Sequence, residues 1–309
     1  MNRIFANQKK VLLAVTMLFS CLFSVHSANA GVGMLEEGEN LYISDLNFSF
    51  GNKYWDSNRQ VINSICKRRN VSLVQGYEYG YSYFHTVFAN VTFAYRKCGQ
   101  ITRAPRVNPV TGRVTPGWTV LGGRAAGIGD IELGVRTRFN HRDTAAWEVL
   151  LTIPTGYDNN HPSALGRGAL GLGLGVRFSS DDRSNDSPWG WKLGSRFTYF
   201  FAGKGNSLRS YAAIQYAFSD TDFEQTGNFV DFRVIHNVGF ARGGVQQQIF
   251  VNQVPETMTN SDQTKLQLKY SHSFNNGWAT SFRAGRAIVG RNAPIDWSVG
   301  WGLSYRWRD

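Results

Sequence analysis

The sequence predicts an all-β protein: a single transmembrane antiparallel up-and-down β-barrel of about 12 strands, with about 14 as the alternative. Three observations lead to this prediction. Apolar and polar residues alternate along most segments after residue 40, the N-terminus has the features of an export signal, and no later apolar run is as long as a spanning helix. Helices and closed barrels are the folds that satisfy every backbone polar group in lipid, so a barrel is favoured. A secreted β-sandwich is the soluble alternative.

The last strand shows the alternation most clearly. One parity of this segment carries Trp297, Val299, Trp301, Leu303, Tyr305 and Trp307, whereas the residues between them are small or polar, with one arginine. Successive side chains on a strand point to opposite faces, so one face is aromatic and aliphatic. A strand with lipid on one side and a wet lumen on the other explains this pattern, with Trp297 and Trp307 at the two water–lipid boundaries.

Residues 1–30 are predicted to be a signal peptide, and residues 31–309 the barrel. A positively charged head precedes an apolar stretch at 11–25, and small residues before Gly31 offer a cleavage site. Lipoprotein processing at Cys21 is a competing interpretation, but Phe19 is bulky where such a site has small residues. An exported barrel is expected in the cell outer membrane.

Strand-like alternation recurs in order along the chain, at 42–50, 71–83, 87–95, 129–139, 147–153, 170–178, 191–201, 208–218, 230–240, 266–274, 278–289 and 297–307. Two further segments are ambiguous. Residues 61–69 are either a strand or the bent start of the next one, and residues 245–251 form a weaker, glutamine-rich strand. The count of strand-like segments is thirteen or fourteen, depending on residues 61–69. Single-chain bacterial barrels have an even number of strands, so we expect about 12, with about 14 as the alternative.

Residues Cys98 to Gly127 interrupt the alternation. They contain three prolines, several glycines and four arginines without an acid, so we expect a long loop. This loop either folds into the lumen as a constriction or lies outside as an exposed flap. A second irregularity is the row Gly171, Gly173 and Gly175 on the inner parity of one strand, which either lets the wall bend or leaves room for something in the lumen.

The inner face is predicted to carry an excess of basic residues. The candidate lumen-lining residues in the cleanest strands are Arg136, Arg138, Arg177, Lys192, Arg196, Glu132 and Glu148. The same parity elsewhere adds Arg209, Arg233, Lys265, Lys269, Arg283, Arg306 and Asp231. A low-dielectric wall of one sign of charge concentrates solutes of the opposite sign, so we expect a pore that favours anionic or neutral solutes over cations. Alternatively, each base pairs with an acid and contributes no selectivity.

No catalytic residue, metal ligand set or cofactor is predicted. His272 and Ser273 faintly resemble the His and Ser of outer-membrane lipid hydrolases, but adjacent residues point to opposite faces and cannot pair as base and nucleophile. Cys66 and Cys98 form a possible disulfide, with two free thiols as the alternative. The net charge of +11 also suits nucleic acid, but export removes that partner and no recognition motif is present.

Two motifs resemble a known family. The run 127–134, Gly-Ile-Gly-Asp-Ile-Glu-Leu-Gly, and the run 151–156, Leu-Thr-Ile-Pro-Thr-Gly, are similar to the outer-membrane barrel family named for the meta-pathway of phenol degradation. Tyr-Glu-Tyr-Gly at 77–80 resembles the Glu-Tyr-Gly element of that family, and the match is clear over 78–178. The resemblance implies a Gram-negative outer-membrane barrel that passes hydrophobic or aromatic compounds. Residues 302–307 also resemble the signal read by the outer-membrane assembly machinery, although Arg308 and Asp309 follow.

The function expected from the sequence is a channel for passive uptake or export of small hydrophobic, aromatic or anionic compounds. Its expected partners are membrane lipids and the outer-membrane assembly machinery. A non-conducting structural or surface-interaction barrel is the alternative, and an outer-membrane lipid-modifying enzyme is the third possibility. Liposome swelling separates the first two, because only a conducting barrel admits solute.

Overall fold

The computed structural model of the chain describes residues 33–98, 101–103, 106–107, 114–115, 118–120, 123–139, 144–156, 165, 168–180, 188–201, 205–218, 227–240, 248–251, 254–257, 260–274 and 276–308. The predicted signal peptide lies outside these residues. Twelve antiparallel strands close into one barrel. In chain order, β1 to β12 are Glu39–Trp55, Val61–Ser82, His85–Cys98, Gly123–Arg138, Ala145–Ile153, Gly171–Ser179, Trp189–Phe200, Asn206–Ala217, Gly227–Phe240, Asn260–Ser273, Trp278–Arg291 and Ala293–Arg308.

Each strand pairs with the next one along the chain, and β1 pairs with β12 from Glu39↔Arg308 to Trp55↔Ala293. The predicted up-and-down barrel of 12 strands is therefore confirmed. None of the described residues belongs to a helix long and apolar enough to cross a membrane.

The two ambiguous segments account for the excess in the predicted strand count. Residues 61–69 are the first part of β2, which runs without interruption for 22 residues. Residues 248–251 pair with 254–257 in a separate two-stranded ribbon and add nothing to the barrel wall. The alternative of about 14 strands was therefore wrong.

The predicted loop from Cys98 to Gly127 was too long. β4 begins at Gly123, opposite Cys98 on β3. Glycine and alanine dominate 123–127, so no apolar alternation marks this start, which is set by pairing with β3. Residues 101–103 pair with 118–120, and 106–107 with 114–115, in the same register as β3 and β4. The connection is thus a ribbon that continues these two strands, and its side chains lie outside the described part.

The two ends of the barrel differ in their connections. Glu39 and Arg308, the outer residues of β1 and β12, lie at one end, which we call the terminal end. The longest connections, 99–122, 154–170 and 241–259, all lie at the opposite end, which we call the loop end. The loop end also has short connections, at 56–60, 201–205 and 292, but no connection at the terminal end is longer than 180–188 or 218–226. This asymmetry is typical of outer-membrane barrels, which have short periplasmic turns and longer outer loops.

Apolar side chains cover the outside of the barrel and charged ones fill its inside. Leu174 and Ile214 on the outer face are 56% and 55% exposed, whereas Arg136 and Glu148 on the inner face are 4% and 3% exposed. A water-soluble protein shows the opposite distribution. The outer belt also includes Leu172, Phe197, Phe232, Leu268, Phe282 and Val299. A lipid environment explains such a belt around the whole wall.

Aromatic rings gather on the outer face at the terminal end. Tyr305 stacks on Trp278 and on Trp307, with ring centroids 4.8 Å and 5.1 Å apart, and Tyr77 lies 6.2 Å from Trp307. Trp297 lies further toward the loop end and is 48% exposed. Amphipathic rings favour the membrane–water interface, so this arrangement agrees with the predicted boundary positions of Trp297 and Trp307.

Candidate functional site: a charged lumen

The candidate lumen residues all lie on strands of the wall with their side chains on the inner parity. Arg136, Arg138 and Glu148 are buried. Arg177, Lys192, Arg196 and Glu132 are half-buried. β4 to β7 bring these residues together because neighbouring strands run side by side in register, from Arg136↔Glu148 to Gly175↔Arg196.

The centre of this group is a buried ion-pair network. The Arg136 guanidinium donates to both carboxylate oxygens of Glu78, over 2.9 Å and 2.8 Å, and its Nε lies 3.7 Å from Glu148. The same guanidinium lies over the Phe88 ring at 4.8 Å. Sequence reasoning missed Glu78. Its inner parity with Gly76 and Gly80 could have identified it, but the strand was described by its tyrosines.

Glu148 holds three arginines at once. Its carboxylate lies 2.7 Å from Arg177, 3.7 Å from Arg136 and 3.9 Å from Arg196. Arg196 also lies 3.5 Å from Glu132. These bases are therefore compensated by acids, as the alternative interpretation of the inner charges proposed. Removing one partner from such a buried network leaves uncompensated charge, which costs about 3–5 kcal/mol.

The segment Gly33 to Gly38 enters the terminal end of the lumen. Arg136 donates a hydrogen bond to the Gly33 carbonyl, and Arg138 donates to the Leu35 carbonyl over 3.4 Å. The Leu35 N–H donates to Thr86 Oγ1 over 3.0 Å. Met34 and Leu35 are each 1% exposed. Two predicted lumen arginines thus position a piece of chain, a role that sequence reasoning did not assign.

The inner-face glycines make room for neighbouring side chains. A Cβ at Gly173 would lie 2.8 Å from Leu150, one at Gly175 would lie 2.8 Å from Glu148, and one at Gly171 would lie 2.9 Å from Phe200. The space left by this row is therefore occupied by side chains from β5 and β7. Packed side chains therefore fill the lumen on this side of the barrel.

The other side of the lumen carries both basic and acidic residues, and the acids include Asp45, Asp231, Asp262 and Asp296. Arg283 pairs with both oxygens of Asp45, and Arg306 pairs with Glu39. Arg209, Lys265 and Lys269 have no carboxylate within 4.0 Å among the described residues. Arg209 points inward, opposite Arg196, yet its side chain is exposed. The Arg209 side chain therefore faces the open lumen.

A cavity of about 310 Å³ adjoins these residues toward the loop end. Its lining includes Arg196, Arg209, Thr198, Asn237 and Gln263, contributed by β7, β8, β9 and β10. Asp262 also lines it, with its carboxylate 3.0 Å from Arg59 and 3.4 Å from Arg291. Guanidinium groups, hydroxyls and amides in one concave surface can donate several hydrogen bonds to an anionic oxygen.

The remaining sequence predictions concern cysteine, histidine and metal chemistry. Cys98 lies opposite Arg68, two residues from Cys66, but the side chains of both cysteines lie outside the described part. The disulfide stays a prediction, and a mass increase on reduction would reveal it. Ser273 is buried on the inner face, whereas His272 contacts Asn228 and the Phe274 ring. Their predicted opposite orientation is confirmed. The described chain contains no cluster of acids, histidines and cysteines that could hold a metal.

The solved structure of an outer membrane channel from Pseudomonas putida F1 is similar to this chain over 92% of this chain and 100% of that one, with 12% identity and a TM-score of 0.63. The translocator domain of the autotransporter NalP from Neisseria meningitidis matches less well, with 13% identity, coverage of 98% and 95%, and a TM-score of 0.47. The KdgM porin has 9% identity, coverage of 85% and 98%, and a TM-score of 0.41.

No protein-family model and no curated protein matches the chain. The resemblance to the meta-pathway family is therefore not confirmed. The similarity to the Pseudomonas channel shows the fold, that of an outer-membrane β-barrel. What passes through the lumen has to be argued from the residues of this chain.

Proposed function

We propose that the chain is an outer-membrane channel whose lumen favours small anionic or neutral polar solutes over cations. The observation that carries this proposal is the water-exposed Arg209 beside the polar cavity. Unit charges 4 Å apart interact with about 4 kcal/mol at an effective dielectric constant near 20, so one uncompensated guanidinium can bias which ions enter.

The position of the bases on the unfilled side supports this proposal. Arg209 on β8 and Lys265 and Lys269 on β10 lie on the unfilled side of the lumen, and Lys269 lies directly opposite Asp231 on β9. The acids Glu78, Glu132 and Glu148 lie on β2, β4 and β5, where arginines occupy them. A solute that passes Arg209 and the cavity would meet a guanidinium without a described carboxylate within 4.0 Å and several hydrogen-bond donors. These groups suit a carboxylate or phosphate better than the aromatic compounds implied by the family resemblance.

A second candidate function is a barrel that does not conduct. The buried Met34 and Leu35 at the terminal end, together with the Arg136 network, favour this candidate. The two candidates differ in what the Gly33 to Gly38 segment does. In a channel it narrows the path or moves aside, whereas in a sealed barrel it closes the path permanently.

Planar bilayer recording under a KCl gradient tests the proposal. A reversal potential displaced toward the chloride equilibrium potential is the expected result. A potential displaced toward that of potassium would contradict the proposed selectivity. A correctly folded barrel that shows no conductance and no liposome swelling would instead support the non-conducting alternative.

A further inference from the structure

Three basic side chains form a row on the outer face of the wall near the loop end. Arg69 on β2 lies opposite Lys97 on β3, and Lys97 lies opposite Arg124 on β4. Directly opposed residues on one face of a sheet have Cβ atoms about 4.5–5.5 Å apart. All three side chains are exposed. They point away from the lumen, because Phe50, opposite Arg69 on β1, belongs to the exposed outer belt.

This row has no acidic partner. Within the part of the chain that the structure describes, none of Arg69, Lys97 and Arg124 forms an ion pair. Other exposed bases do: Arg59 lies 3.0 Å from Asp262, and Arg308 lies 3.0 Å from Glu36. Like charges placed directly opposite each other destabilise a sheet, so packing within the barrel does not explain the row.

The row lies at the edge of the lipid-facing band. The outward residues of β3 below it include Val87, Phe93 and Tyr95, which are 37%, 43% and 39% exposed, and Lys97 is the next outward position. Val87 to Lys97 matches the length of about 9–11 residues that a tilted strand needs to cross the hydrocarbon. At the terminal end of β2 to β4, the described outward residues include no arginine or lysine, and they include the exposed Tyr81 and Phe139.

We propose that Arg69, Lys97 and Arg124 bind the phosphate groups of an anionic glycolipid in the outer leaflet. Arginine and lysine form charge-assisted hydrogen bonds with phosphate oxygens, and basic clusters at a membrane surface attract anionic headgroups. The acyl chains of the same lipid would lie on Phe93, Tyr95 and the apolar wall beneath the row. The proposal rests on the outer-membrane location and on the loop end facing outward, which the three longest connections at that end support.

The test compares lipid retention by the purified barrel and a triple variant, R69Q/K97Q/R124Q. Native mass spectrometry in detergent with EDTA, so that divalent cations do not bridge, would count bound bis-phosphorylated lipid A. We expect the natural barrel to retain one lipid, and retention by the triple variant to fall on the order of a hundredfold. Lipid A stripped of its phosphates should bind both proteins equally weakly.

Arg286→Gln is the matched control. Arg286 is an exposed outward base on β11, but it lies over the Trp297 ring at 4.7 Å and faces no second cation across the sheet. Its replacement should leave retention unchanged. Equal retention by the natural barrel and the triple variant, or undiminished binding of the dephosphorylated lipid, would overturn the proposal.

Two further measurements make the result decisive. Heat-modifiable migration on gels checks that each variant is folded. If the triple variant fails this check, the single variants Arg69→Gln and Lys97→Gln replace it. Each single variant should retain less lipid than Arg286→Gln. Conductance in bilayers without lipid A tests the channel independently. An anion-favouring channel whose triple variant still retains the lipid would contradict the lipid site alone.

Discussion

Arg196 and Arg209 lie directly opposite each other on β7 and β8, both on the inner face. Of these two arginines, only Arg196 has a described carboxylate within 4.0 Å. Two like charges at this spacing are unfavourable unless something compensates them. Glu132 and Glu148 compensate Arg196. The charge of Arg209 therefore remains available to whatever enters the lumen.

Arg209→Glu is expected to reduce the preference for anions. A partly hydrated charge contributes up to about 1 kcal/mol, so the permeability ratio of chloride to potassium should fall on the order of fivefold. Reversal potentials of the natural and variant barrels measure this change. Arg308→Glu is a control, because Arg308 lies at the rim and is already paired with Glu36. Equal effects of the two substitutions would contradict a selective role for Arg209.

Glu148→Gln is expected to destabilise the barrel. The substitution removes the negative charge shared by Arg136, Arg177 and Arg196, while Arg136 keeps Glu78. The free energy of unfolding should fall toward the lower end of the 3–5 kcal/mol that is typical of a broken buried pair, or about 3 kcal/mol. Urea unfolding in lipid vesicles, followed by tryptophan fluorescence, measures it. Glu37→Gln, at an exposed position, should leave the unfolding midpoint unchanged.

Replacement of Met34 and Leu35 by serine is expected to raise single-channel conductance. Both side chains are buried at the terminal end, and serine would weaken their packing and admit water. The exposed neighbour Glu37→Ser provides the control. Unchanged conductance in the double variant, with an intact barrel, would mean that the constriction lies elsewhere.

Gly173→Ala is expected to destabilise the barrel by about 1–3 kcal/mol, the usual cost of overpacking. The added Cβ would lie 2.8 Å from Leu150, within the filled side of the lumen. Leu150→Ala in the same chain should restore part of the lost stability, because it vacates the space that the new methyl group needs. A double variant less stable than the sum of the two single changes would rule out this steric explanation.

The strands were predictable from the sequence because each needs only its own alternation. The outward face of β12, from Trp297 to Trp307, is set by lipid on one side and water on the other. The inner parity of Arg136 and Arg177 follows from the same rule. The long β2 was harder to predict, because residues 61–69 lack a clear apolar parity and their strand is set by pairing with β1.

The content of the lumen depends on contacts between residues far apart in the chain, and a local pattern does not specify these. Gly33 meets Arg136, and Glu78 meets the same guanidinium, although neither is near it in sequence. The glycine row showed that space was needed at Gly171 to Gly175, but not that Leu150, Glu148 and Phe200 would fill it. The alternation predicts which face of the wall a side chain points to, but which side chains fill the lumen depends on the folded structure.

The pairing of β1 with β12 sets the order in which the protein can assemble. Neighbouring hairpins can form as the chain is delivered, but the seam from Glu39↔Arg308 to Trp55↔Ala293 joins the first strand to the last. Until β12 arrives, two sheet edges remain open, and unpaired edges invite pairing with other chains. Closure of the wall is therefore the last pairing that the chain can make, and any chain that ends before β12 leaves the edge of β1 unpaired.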